Sequence, residues 1–163
     1  MVELNWYEAR ARNDATMMVS VFIQNEAGSK RKNHHNEKTL EFRFAETVSR
    51  CYPYPYGFII ATNAEDGCNV DCFVITRRPL RMGQTLECDV FALMEQTEDG
   101  SIDHNVLAKL PDENMDVTTE IQTILTDFVL NVFRNVPGSQ ISVGRFLGAE
   151  QAEAHVIARS ELI

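Results

Sequence analysis

Two short acidic segments have the residue types and spacing to hold a cation. Residues 66–71 read DGCNVD and set Asp66 and Asp71 five positions apart. Residues 98–103 read EDGSID and set Glu98 and Asp103 at the same separation. Oxygen-only clusters of this kind suit a hard cation such as Mg²⁺, with Mn²⁺ as a substitute. A single Asp-Gly is more often a solvated turn, so the weight rests on the repeat: two such turns facing one end of a barrel would bring four carboxylates together. Cys68 stands where a third acid would complete the first cluster. Upstream, AGSKRKNHHNEK (27–38) is a cationic, glycine-bearing stretch whose Lys30, Arg31 and Lys32 have the reach for a phosphate, and Arg43 follows it. A charged loop is also commonly just solvated. In CYPYPYGF (51–58) the tyrosines either pack a turn or donate to phosphate oxygens.

These residues need strands and helices to position them. MVSVFIQ (18–24) is β-rich, and TLEFRFA (39–45) alternates Leu40, Phe42 and Phe44 with polar neighbours, the pattern of a half-buried strand. GFIIAT, DCFVIT, TLECDVFALME and NVLAKL follow, separated by turn signals at Glu65-Asp66-Gly67, Pro79, Gly83 and Asp99-Gly100. Many short strands with tight turns predict a small closed barrel. Between 116 and 136, Val117, Ile121, Ile124, Leu125, Phe128, Val129, Val132 and Phe133 recur at three and four, which predicts an amphipathic helix. Asp116 or Thr118 is its expected cap, and Pro137-Gly138 its end. QISVGRFL then reads as a strand and GAEQAEAHVIARSEL as a shorter helix. The expected class is α+β, mainly β, with residues 1–163 as one domain and a barrel flanked by two C-terminal helices.

Composition narrows the function classes. The 163 residues are 44% hydrophobic and 24% charged, a globular balance. The net charge of −9 disfavours nucleic-acid binding, which usually needs a basic face. No apolar run approaches the ~20 residues of a membrane span, and the first residues carry no secretory signature, so the expected compartment is the cytoplasm. The four cysteines lack CxxC spacing and read as free thiols, most of them, Cys68 included, buried as small hydrophobes.

In order, YPYPYGFI, DG-x-x-x-D, PL-x-x-G and an acid pair before a strand resemble the motifs of the soluble, Mg²⁺-dependent inorganic pyrophosphatases of family I, from about Tyr52 to Asn105. The resemblance implies an OB-like five-stranded barrel, usually in a homohexamer, that hydrolyses pyrophosphate, or a related phosphoanhydride, to phosphate. It implies that Asp66, Asp71, Glu98 and Asp103 hold metal and that Lys32, Arg43, Tyr56 and Arg134 serve the substrate. Cys68 replaces the acid usually given the role of base, and Asn105 replaces a phosphate-binding lysine. Gln24 and His34 replace glutamates, and Phe133-Arg134 replaces a Tyr-Lys pair. A thiolate is a poor partner for Mg²⁺, and loss of a positioned base costs roughly 10²–10⁴-fold. The expectation is weakened pyrophosphate hydrolysis in a hexamer or trimer. The alternative is a non-catalytic relative that binds metal, phosphate or a protein partner.

Overall fold

The computed structural model describes residues 16–135 and 138–161. Among the described residues there are nine strands: β1 (Met18–Asn25), β2 (Arg31–His35), β3 (Phe42–Thr47), β4 (Tyr56–Ile59), β5 (Val70–Val74), β6 (Thr85–Glu98), β7 (Ser101–Ile102), β8 (Asn105–Lys109) and β9 (Ile141–Leu147). Two described helices follow the barrel strands in sequence, α1 (Thr119–Asn131) and α2 (Ala149–Ala158), with β9 between them. Five strands close on themselves in the order β1-β4-β5-β8-β6, because β6 also pairs with β1. The expected five-stranded barrel is therefore present, with β7 and β9 extending it from β6.

Alternation along the barrel strands buries both of their faces. Cys72 and Val74 of β5 join Val21, Ile59, Val106 and Ala108 in one cluster, against Ala152 and Val156 of α2. Phe73 of β5 and Leu107 of β8 point the other way, against Leu125, Phe128 and Val129 of α1. Thr118 caps α1 by accepting a hydrogen bond from the Ile121 N–H at 3.2 Å. Such a cap contributes about 1 kcal/mol. The helix ends at Asn131, short of Gly138, and Pro137 lies outside the described residues. Strands β1 and β4 approach so closely that a Cβ at Gly57 would stand 1.7 Å from the Phe22 carbonyl oxygen. Only glycine fits there.

Three expectations need correction. First, residues 31–35, read as part of a charged loop, form β2, which pairs with β3 in a separate hairpin. Polarity hid this strand: the Asn33 side chain donates to the Gln24 carbonyl at 2.7 Å, and its backbone N–H donates to Asn25 Oδ1 at 2.7 Å. A hydrogen-bonded seam, together with His35 packed edge-on against Phe22, holds the hairpin to β1. Second, β3 lies outside the barrel, and its Phe42 and Phe44 are 45% and 54% exposed rather than half-buried. Third, only Cys72 and Cys88 are buried; Cys51 and Cys68 are exposed.

Candidate active site

The parallel pairing of β5 with β8 sets Asp71 beside Asn105 in register. The loops that enter these two strands therefore emerge at the same end of the barrel. That register gathers Asp66, Asp71, Glu98 and Asp103 around one cleft of about 240 Å³. Gly67, at φ +83°, makes the tight turn between Asp66 and Cys68, and Asp66 Oδ1 accepts the Cys68 N–H at 2.9 Å. The opposite wall comes from the hairpin, through Lys32, Asn33, His34 and Glu37, and from Phe128 and Phe133 at the end of α1.

Asp71 is the half-buried centre of the acidic wall. Burial pushes its carboxyl well above the ordinary range, and the charge of Asp103, with which it lies in hydrogen-bonding reach, adds to this. Asp103 is raised to about 6, first by burial and then by Glu98 and Asp66. Lys32 pulls both back toward ionisation. Tyr56 is partly buried beside Asp71, and that burial together with the carboxylate keeps its phenol protonated and able to donate. Although exposed overall, the Cys68 thiol is pushed up to about 11 by its partial desolvation in the cleft and by the charges of Glu37 and the three aspartates. A thiol so placed is neutral near pH 7 and lacks the ionisation a base requires.

The floor is a polar chain. Asn105 donates to Gln96 Oε1 at 2.7 Å, and Gln96 donates to Asp103 at 3.3 Å. Asn105 Oδ1 is buried with no hydrogen-bond partner among the described residues. No three His, Cys, Asp or Glu side chains among the described residues form a ready-made metal cage. The donor set still fits a divalent cation. Carboxylates that burial and mutual repulsion force toward protonation, next to an orphaned amide oxygen, are what a hard cation would satisfy.

Of the cations named from sequence, Lys32 alone lines the cleft. Its ammonium sits 4.9 Å from the centre of the Phe133 ring, a cation–π contact that holds the chain over the site. Arg43 does not line it. The β2–β3 register steps from His34↔Phe44 to His35↔Phe42, which leaves Arg43 as the extra residue of a bulge. Arg134 belongs to the turn after α1 and is also absent from the lining, where Phe133 stands instead.

Glu37 was not singled out from the sequence. It lies in the hairpin turn, accepts the Asn69 N–H at 2.8 Å, and has its carboxyl raised mainly by burial. Gln96 and Tyr52 were also missed. The one available signal was a lone acid, Glu37, inside an otherwise cationic stretch.

A sequence model of the inorganic pyrophosphatase family matches residues 21–159. An inorganic pyrophosphatase of Nanoarchaeum equitans is 29% identical over 148 residues, 84% of this chain and 92% of the relative. One from Aquifex pyrophilus is 31% identical over 112 residues, 62% of this chain; the chain spans only 63% of that relative's length. The crystal structure of inorganic pyrophosphatase from Thermus thermophilus superposes with a TM-score of 0.79 at 22% identity, covering 87% of this chain and 88% of that one. That likeness speaks for the fold.

Proposed function

The chain belongs to the inorganic pyrophosphatase family, and on that premise we propose that it hydrolyses a phosphoanhydride, pyrophosphate in the first instance, to two phosphates with a divalent cation, Mg²⁺ or Mn²⁺. The observation that carries this reading is the gathering of five acids and Lys32 around one cleft at the end of the barrel. Asp66, Asp71, Glu98 and Asp103 would hold the cation, with the Asn105 amide oxygen as a further donor. A bound divalent cation neutralises phosphate charge and makes water easier to ionise near neutral pH.

The chain's own residues do the rest. Lys32 binds a phosphate oxygen and is steadied by Phe133. Tyr56 holds its proton and fixes the Asp71 carboxylate. The apolar wall of Phe128, Val129 and Phe133 limits water on one side. Positioning and electrostatics supply most of the catalysis in phosphoryl transfer. With Cys68 neutral and Lys32 the sole lining Lys or Arg among the described residues, hydrolysis is slower than in a site with an acid and several cations. We place the protein in the cytoplasm as a homo-oligomer, a hexamer or trimer. No described helix is long and apolar enough to cross a membrane.

The test is phosphate release from pyrophosphate by the purified chain, with Mg²⁺, with Mn²⁺ and with chelator. Turnover that requires the metal supports the proposal. Absence of turnover with either metal refutes the hydrolytic reading and leaves a metal- or phosphate-binding relative.

A further inference from the structure

The hairpin wall of the cleft carries an aromatic platform where a cation was expected. Lys32 and His34 lie two residues apart on β2, and Phe44 and Glu46 face them on β3. The rings of His34 and Phe44 are stacked, with centroids 4.3 Å apart and planes 18° from parallel. Glu46 fixes the histidine from its edge at 2.6 Å. His34 lines the cleft, and Phe44 stands just outside it, 54% exposed. The bulge at Arg43 produces this arrangement. By taking up the extra residue, it sends Phe42 to pack with His35 and Arg31 while Phe44 stays with His34.

Charge and volume point in the same direction. Pyrophosphate carries up to four negative charges, yet Lys32 is the sole Lys or Arg lining the cleft among the described residues, against five acids. A diphosphate esterified at one end has one ionisable oxygen fewer and can draw part of its affinity from stacking. The cleft encloses about 240 Å³, below the ~300–1,000 Å³ of pockets that swallow a whole organic ligand. It therefore seats the phosphates and leaves any organic part to project across the rim. Strand geometry places His34 about 7 Å from Lys32, the scale of a sugar between a phosphate and its base.

Resting on the phosphoanhydride reading above, we infer that the cleft takes a nucleoside diphosphate, its phosphates beside Lys32 and the acids and its base on the open face of Phe44. In the reaction, the oxygen of a water molecule bonds to the terminal phosphorus. The bond from that phosphorus to the bridging oxygen breaks. The nucleoside monophosphate leaves with the bridging oxygen, inorganic phosphate forms, and one proton is released.

The experiment compares adenosine 5′-diphosphate with inorganic pyrophosphate as substrates for the full chain in Mg²⁺, by phosphate release and, in parallel, by calorimetric binding. Wild type, Phe44→Ala and Phe44→Trp are measured, and sedimentation follows their assembly. Aromatic stacking on a base contributes ~1–3 kcal/mol. The expected result is a ratio of kcat/KM, adenosine diphosphate over pyrophosphate, that falls about 10-fold in Phe44→Ala and recovers in Phe44→Trp. An unchanged ratio with pyrophosphate still hydrolysed removes the platform and leaves the hydrolytic reading intact. Neither substrate turned over, with nucleotide binding still weakened about 10-fold in Phe44→Ala, removes hydrolysis and keeps the platform. A smaller assembly in Phe44→Ala, with the ratio unmoved, means that a second copy of the chain covers Phe44 and overturns the inference.

Discussion

The cleft has two walls made on different principles. The acidic wall is anchored in the barrel: Asp71 belongs to β5, Asp103 precedes β8, and the parallel pairing of those strands fixes their separation. The hairpin wall hangs from β1 by amide hydrogen bonds at Asn33, and a single extra residue decides which side chains face the site. The first wall resists change, because shifting a barrel strand by one residue would exchange the side chains packed in its two buried clusters, Phe73 for Cys72 and Val74. The second can exchange a cation for an aromatic ring at the cost of one bulge. On the proposed reading, the residues that would hold the metal lie in the part that cannot slip, and those that would set substrate preference in the part that can.

The largest effect is expected from removing the centre of the acidic wall. Asp71→Asn should lower metal-dependent turnover by more than ~100-fold, beyond the loss typical even of partners one shell away from a metal. It should also abolish the rise in melting temperature on adding Mg²⁺. A melting temperature that still responds would place the cation elsewhere.

Next in size is the contrast between two cations of the hairpin. Lys32→Ala should cost roughly 10²-fold in kcat/KM, as loss of one charge-stabilising group does. Arg43→Ala should stay within about 2-fold. Equal losses in steady-state kinetics would mean that Arg43 reaches the substrate despite its place in the bulge.

Acid titration probes the acidic wall through stability. In chelator, folded Asp103 takes up its proton at about pH 6, against an ordinary carboxyl value near 4. Its contribution to stability is therefore fully present below about pH 4 and is lost as the pH rises through 6. Allowing for partial exposure, this is on the order of 1–2 kcal/mol, or about 2–8 °C. Metal-free Asp103→Asn should accordingly melt higher than wild type at pH 7, and the gap should close by pH 4. Thermal melts across that range would expose a gap of the wrong sign.

The smallest effect is expected at Cys68. A thiol that stays neutral at pH 7 is neither base nor hard-metal ligand, so Cys68→Ser should leave pyrophosphate turnover within about 3-fold. A 100-fold loss would assign the thiol a direct part.

The sequence made one wall legible and hid much of the other. The acids were readable because the strands behind them, DCFVIT and NVLAKL, are strongly apolar and their preceding turns carry Asp-Gly signals. Strand pairing then does the rest. The barrel and both helices were readable for the same reason. Strand β2 was not, because RKNHH has no aliphatic residue to mark a buried face: Asn33 holds it through amide hydrogen bonds and His34 and His35 through ring contacts. The displacement of Arg43 was not readable either: a bulge changes register without leaving a compositional trace, and Phe42 and Phe44 mimic the alternation of a half-buried strand. Glu37 reaches the site through a contact 32 residues away along the chain, which local spacing does not reveal.

The most direct test of the account is one Mg²⁺ titration read two ways, by melting temperature and by phosphate release from pyrophosphate, on wild type and Asp71→Asn. In wild type both signals should rise together and saturate over the same concentrations, and both should be lost in the variant. Phosphate release that needs no Mg²⁺, or stabilisation that persists in Asp71→Asn, would contradict the assignment of the acidic wall as the place where metal and chemistry meet.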